Sequence, residues 1–184
     1  MNREEIVNAL HAHYSEFSNY MLQLSEQEYL FSFQGEKWTA GQHNKHLILT
    51  TRPVGLALLL PSWSLKLLFG KANRPSKTYK GLVKKYKSRL KIGGISPSPF
   101  VPKPVFFQQK ERLSFQLLKN VQTIIKRLKS FTDDQLEELI LPHPLMGKVT
   151  LKEMMYFTIY HAQHHLELVK KYLKTLEAVE TERR

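Results

Sequence analysis

The chain has 184 residues, of which 42% are hydrophobic, and a net charge of +12 from 28 basic and 16 acidic side chains. That length suits one domain with a sizeable core, and the apolar content excludes a disordered chain. With no cysteine, disulfides, thiolate metal sites and cysteine nucleophiles are excluded, so any metal must be held by histidine and carboxylate. A cytoplasmic location is expected, because the N-terminal run MNREEIVNALHAHYSEF lacks the apolar stretch of a signal peptide.

Residues 3–25 read as a first helix, because Ile6, Leu10, Tyr14, Phe17, Met21 and Leu24 form a stripe of helical period. Residues 26–38 read as a connection. Thr39-x-x-Gln42 is a capping-box pattern that opens a second helix, running through His46 toward Leu60. Pro53 is expected to kink it or end its first part. The most apolar run, residues 54–69, is interrupted by Pro61 and Lys66 and falls short of the about 20 apolar residues that a membrane span needs. It reads as a buried helix end followed by a packed connector, and no transmembrane segment is expected.

Residues 71–91 are dense in Lys and Arg and hold no acid. Residues 76–91 read as a short basic helix with Tyr79, Val83, Tyr86 and Leu90 on its apolar side, which favours a solvated face over a phosphate-tracking surface and makes nucleic acid a disfavoured partner. Residues 92–105 carry two glycines and four prolines, so they form a long loop that either covers a site or is a passive insertion. Residues 106–130 read as a third long helix on the stripe Leu113, Leu117, Val121, Ile124 and Leu128. Thr132-x-x-Gln135 begins a short helical turn, PHPLMGK reads as a turn, and Thr150-x-x-Glu153 opens a final helix over about residues 150–177. Residues 178–184 read as a charged tail expected to fray. No run alternates convincingly as a strand. The expected architecture is an all-α four-helix bundle over residues 1–177, with a short basic helix and a Pro-rich loop between its second and third helices.

The chemistry lies in the histidines. His161 and His165 are four apart on the final helix, which puts both rings on one face, about 5–6 Å apart at Cβ. That spacing suits two neighbouring ligands of one metal ion. An isolated pair of this kind is more often two buried histidines bonded to Tyr or backbone groups. His164 lies about 100° around the helix from His165 and is expected to face solvent or a neighbouring helix. His43 and His46, three apart, offer a third ligand, and spacing alone does not choose between them. His11, His13 and His143 lack a partner at helical spacing and read as structural or surface groups, although His143, between prolines in a turn, is within reach of a pocket.

Trp38-Thr39 with His46 eight residues after the tryptophan, followed by His161-x-x-His164-His165, resembles the DinB-like superfamily of metal-binding four-helix bundles, which has thiol-dependent transferases among its relatives. The resemblance covers nearly the whole chain in helix order. It implies His46, His161 and His165 as the metal ligands, selecting His46 over His43, with nickel or zinc as the ion. Relatives often continue the motif as H-H-R-G-Q, whereas this chain has Leu166, Glu167 and Leu168, so the usual support around the ligands differs. The function this implies is a metal-dependent thiol S-transferase, or a related enzyme, acting on a small electrophile with a low-molecular-weight thiol. The alternative is a non-catalytic metal-binding bundle or a stress-response interaction module. No residue outside the triad stands out as a general base, Tyr160 and His43 being candidates by proximity in sequence only. A homodimer is the expected assembly.

Overall fold

The computed structural model describes residues 1–182. Four long helices form the body: α1 (Arg3–Gln23), α3 (Ala40–Ala57), α6 (Lys110–Leu128) and α8 (Leu151–Glu182). Shorter helices connect and flank them: α2 (Glu26–Leu30), α4 (Ser62–Phe69), α5 (Tyr79–Lys91) and α7 (Asp133–Glu138). Helix α6 packs against both α1 and α3, and α8 closes the ring against the same two. The chain is therefore an all-α bundle, as its patterning predicts.

The predicted stripes are the core. Ile6, Leu10, Tyr14, Phe17 and Met21 of α1 are fully buried, and Leu117 and Ile124 of α6 meet them. Burying one such side chain contributes about 1.5–3 kcal/mol, which is why these stripes outweigh modest local propensity. The predicted capping boxes also form. Thr39 Oγ1 accepts the Gln42 N–H at 3.1 Å while Gln42 Oε1 accepts the Thr39 N–H at 3.0 Å, and Thr132 with Gln135 does the same for α7. Close packing next to the cap of α3 depends on Gly41, where a Cβ would sit 2.6 Å from the Tyr29 ring.

Several expectations are corrected. The connection at residues 26–38 contains α2, opened by a Ser25–Glu28 capping box. Of the two outcomes expected at Pro53, an end to the helix does not occur: α3 continues past it to Ala57, and the Thr51 hydroxyl and the Asn120 amide bond the Leu47 and Ile48 carbonyls in the preceding turn. The apolar run is not a packed connector: it forms α4, in which Leu65 is buried while Trp63, Leu67 and Leu68 are 67%, 78% and 61% exposed. A small hairpin, β1 (Ile140–His143) with β2 (Gly147–Thr150), stands where only a turn is expected, with Leu141 opposite Val149. Its strands are too short, and too interrupted by Pro142, to show alternation; Gly147 takes the positive φ of 72° that closes the turn. The final helix extends to Glu182, through part of the expected tail, and Arg183 and Arg184 lie outside the described residues.

The first turn of α8 is a polar anchor. Glu153 is fully buried and accepts from Arg74 Nη1 at 2.7 Å, Arg74 Nη2 at 2.8 Å, the Lys77 N–H at 2.8 Å and the Thr150 N–H at 3.0 Å. Burial pushes its carboxyl up, but these donors hold it below the ordinary value. The anchor fixes the start of the basic segment to α8. On α5 itself, Leu82 and Tyr86 are buried, Lys80, Lys84, Lys87 and Lys91 are exposed, and Lys85 is half-buried.

Candidate metal centre

Two turns beyond Glu153, α8 turns His161 and His165 inward, and α3 brings His43 and His46 to meet them. All four are buried. Nε2 of His46 lies 3.2 Å from Nε2 of His161, which lies 2.9 Å from Nε2 of His165. His46, His161 and His165 each offer one nitrogen, all within 4.8 Å of one another, and this trio could hold a metal ion. With metal–nitrogen bonds of about 2.0–2.1 Å, neighbouring ligand atoms sit roughly 2.8–3.4 Å apart, so the spacing fits an ion at the centre.

Hydrogen bonds outside the trio set the direction of its lone pairs. His46 Nδ1 lies 2.7 Å from the Phe100 carbonyl oxygen. A carbonyl only accepts, so the proton is on Nδ1 and Nε2 presents a lone pair. His165 Nδ1 lies 2.7 Å from His43 Nδ1, with one proton between them. With that proton on His165, its Nε2 also presents a lone pair, and His43 carries its own proton on Nε2, a buried atom with no partner among the described residues. His43 thus sits behind His165 rather than in the trio. The Pro-rich loop takes part directly: its 3-10 turn Ser98–Phe100 supplies the carbonyl that orients His46.

Electrostatics keep these rings in the ligand form. Burial pushes His46 below its ordinary pKa against the opposing Phe100 contact. His161 and His165 fall well below theirs, through burial and then the neighbouring histidines. Burial also takes His43 down to about 3. Neutral imidazole is the state a metal requires. Trp38 covers the cluster, its ring centroid 4.9 Å from His46 and 6.3 Å from His165.

The trio opens on a cavity of about 580 Å³. His164, expected to face solvent or a helix, is half-buried and lines this cavity. So does His143, a buried residue of β1 whose Nδ1 accepts the Leu145 and Met146 N–H groups at 3.1 and 3.2 Å. Its position depends on a hairpin that periodicity does not reveal; the prolines on either side were the available signal. Burial pushes His143 down to about 4. Of the two candidate bases, His43 lines the cavity, whereas Tyr160 is packed beside His164 and Tyr86. His11 is exposed and His13 half-buried on α1.

No curated protein and no solved structure matches the chain. A family model does, that of the DinB superfamily, over residues 9–169, and the chain, a helical bundle with a buried histidine trio where two of its long helices meet, belongs to that superfamily.

Proposed function

We propose that His46, His161 and His165 bind one divalent ion, nickel or zinc, and that the protein is a metal-dependent enzyme of the thiol S-transferase type acting on a small electrophile. The observation that carries this reading is the convergence of three buried ring nitrogens, His161 lying 3.2 and 2.9 Å from its two neighbours and all three within 4.8 Å of one another. Three buried imidazoles turned toward one another make poor hydrogen-bond partners, and a cation satisfies all three. When bound, the ion would supply a Lewis acid with positions open toward the cavity. The chain does the remaining work. The Phe100 carbonyl and His43 hold the rings of His46 and His165 in register, and Trp38 shields the cluster from bulk water. A low-molecular-weight thiol and its electrophile would meet in the adjoining cavity.

The proposal extends to residues 1–177 as one domain, to a cytoplasmic location and to a homodimer, the last supported by the exposed apolar face of α4. Metal analysis of protein purified without a histidine tag tests the centre. About one equivalent of nickel or zinc is expected; no bound metal, together with no thermal shift on adding either ion, would overturn the reading. His46→Ala should abolish binding, while His43→Ala should weaken it without abolishing it; the reverse result would mean that the ligand is His43.

A further inference from the structure

Apart from the histidines, Thr50, Ser96 and two charged residues, the cavity beside the trio is walled by apolar and aromatic groups. Phe69, Tyr86, Leu90, Phe100, Phe157 and Leu168 come to it from four separate elements. Among the described residues, its only charged lining groups besides the histidines are Glu36 and Lys37, adjacent in sequence, opposite in sign and both exposed, which places them at the rim. None of the lysines of α5 lines it, although the chain carries a net charge of +12. Two of the basic groups nearest this region are already engaged: Lys85 donates to the Met146 carbonyl at 2.8 Å, and Lys87 lies over the Tyr160 ring.

We propose that the ligand of this cavity is a neutral, largely apolar molecule with an aromatic or alkyl body, and that any polar head it carries is turned toward the histidines. The reason is the cost of burying charge. A carboxylate or ammonium placed away from the trio would leave water without meeting a partner of opposite sign, and an unpaired buried charge is strongly unfavourable. An apolar body instead gains from every methylene it buries, and the volume of about 580 Å³ falls in the range of small-molecule sites. A substrate or thiol bearing several charges is excluded from the interior, and the basic surface plays no part in holding it. The orientation of the head rests on the metal reading above; the apolar body does not.

The test uses N-phenyl-1-naphthylamine, a neutral dye that brightens in apolar surroundings, titrated into the full chain in metal-free and metal-loaded forms. Saturable one-to-one binding to both forms is expected. Neutral 4-alkylphenols should displace the dye, with affinity rising about fourfold per added methylene until the cavity is full. Ala57→Trp and Leu145→Lys, at two half-buried lining positions in different elements, should each weaken dye binding more than tenfold with the circular dichroism unchanged. Trp63→Ser and Leu67→Ser, on the exposed face of α4, should leave it intact. Absence of saturable binding, loss of binding through the α4 variants alone, or preference of the metal-free protein for alkanoates over alkylphenols would overturn the inference. If metal binds and the dye does not, the inference fails while the metal reading stands. If the dye binds and no metal does, the converse holds.

Discussion

Helix α8 buries polar groups at two places about two turns apart, and they are built on opposite principles. At its first turn, Glu153 has four donors, so its charge is fully answered from within the chain. Further along, His46, His161 and His165 face one another through their Nε2 atoms, while their outer contacts go to Phe100 and His43. A satisfied buried network holds a fold together, whereas a cluster that turns its acceptors toward a common centre remains poised for something the chain does not supply. The first should respond to mutation in stability and the second in ligand affinity.

The strongest way to break this contrast is to remove a ligand. His46→Ala should lower nickel or zinc affinity by more than 100-fold in a chelator competition, beyond the 10–100-fold typical of outer partners, while the metal-free protein keeps its fold. Glu153→Ala should do the reverse, costing about 3 kcal/mol in urea unfolding through the stranded Arg74 and the lost cap, with the metal still bound by the folded fraction. A Glu153 variant that unfolds no more easily than the parent would erase the distinction.

A more graded effect is expected at His43, which touches the trio without belonging to it. His43→Phe should reduce metal affinity about 10–100-fold, and His43→Gln, which can still accept from His165, should recover much of that loss. Acid provides a further test. The folded pKa of His43, about 3, and that of His143, about 4, lie below the unfolded value of about 6.5. The unfolded chain therefore binds more protons between these values, so stability is fully present above about pH 6.5 and falls as pH drops through the window toward 4. The loss should be about 1.4 kcal/mol per pH unit for each histidine kept neutral, read from urea midpoints of metal-free protein. The smallest effect is expected at Phe100. Phe100→Ala should change metal affinity less than about threefold, because the contact to His46 is made by the main chain.

How much of this was legible in the sequence follows from the range of each interaction. Thr39 with Gln42, Thr132 with Gln135 and Thr150 with Glu153 are three residues apart and were readable as caps. The stripe from Ile6 to Met21 and the His161–His165 pair are equally local. By contrast, His43 and His165 are 122 residues apart, and only the fold brings them together. The resemblance, not the spacing, separated His46 from His43. The prolines around His143 put it within reach of a pocket but do not fix it there, because its hairpin is too short to alternate, and a helical wheel does not show that a cavity opens beside His164. The apolar run over residues 54–69 reads differently from its structure for another reason: hydrophobicity reports a preference for burial, and α4 leaves that preference unmet on one side.

The two tryptophans occupy contrasting settings, Trp38 against the histidine rings and Trp63 on the open face of α4. The protein thus carries its own optical reporter. Replacing Trp63 with phenylalanine would leave a single emitter 4.9 Å from the His46 ring, measured between centroids. Paramagnetic ions quench such an emitter by proximity, whereas zinc, with its filled d shell, does not. The colour and yield of that one indole would follow loading of the trio in real time, without a label and without knowledge of the reaction.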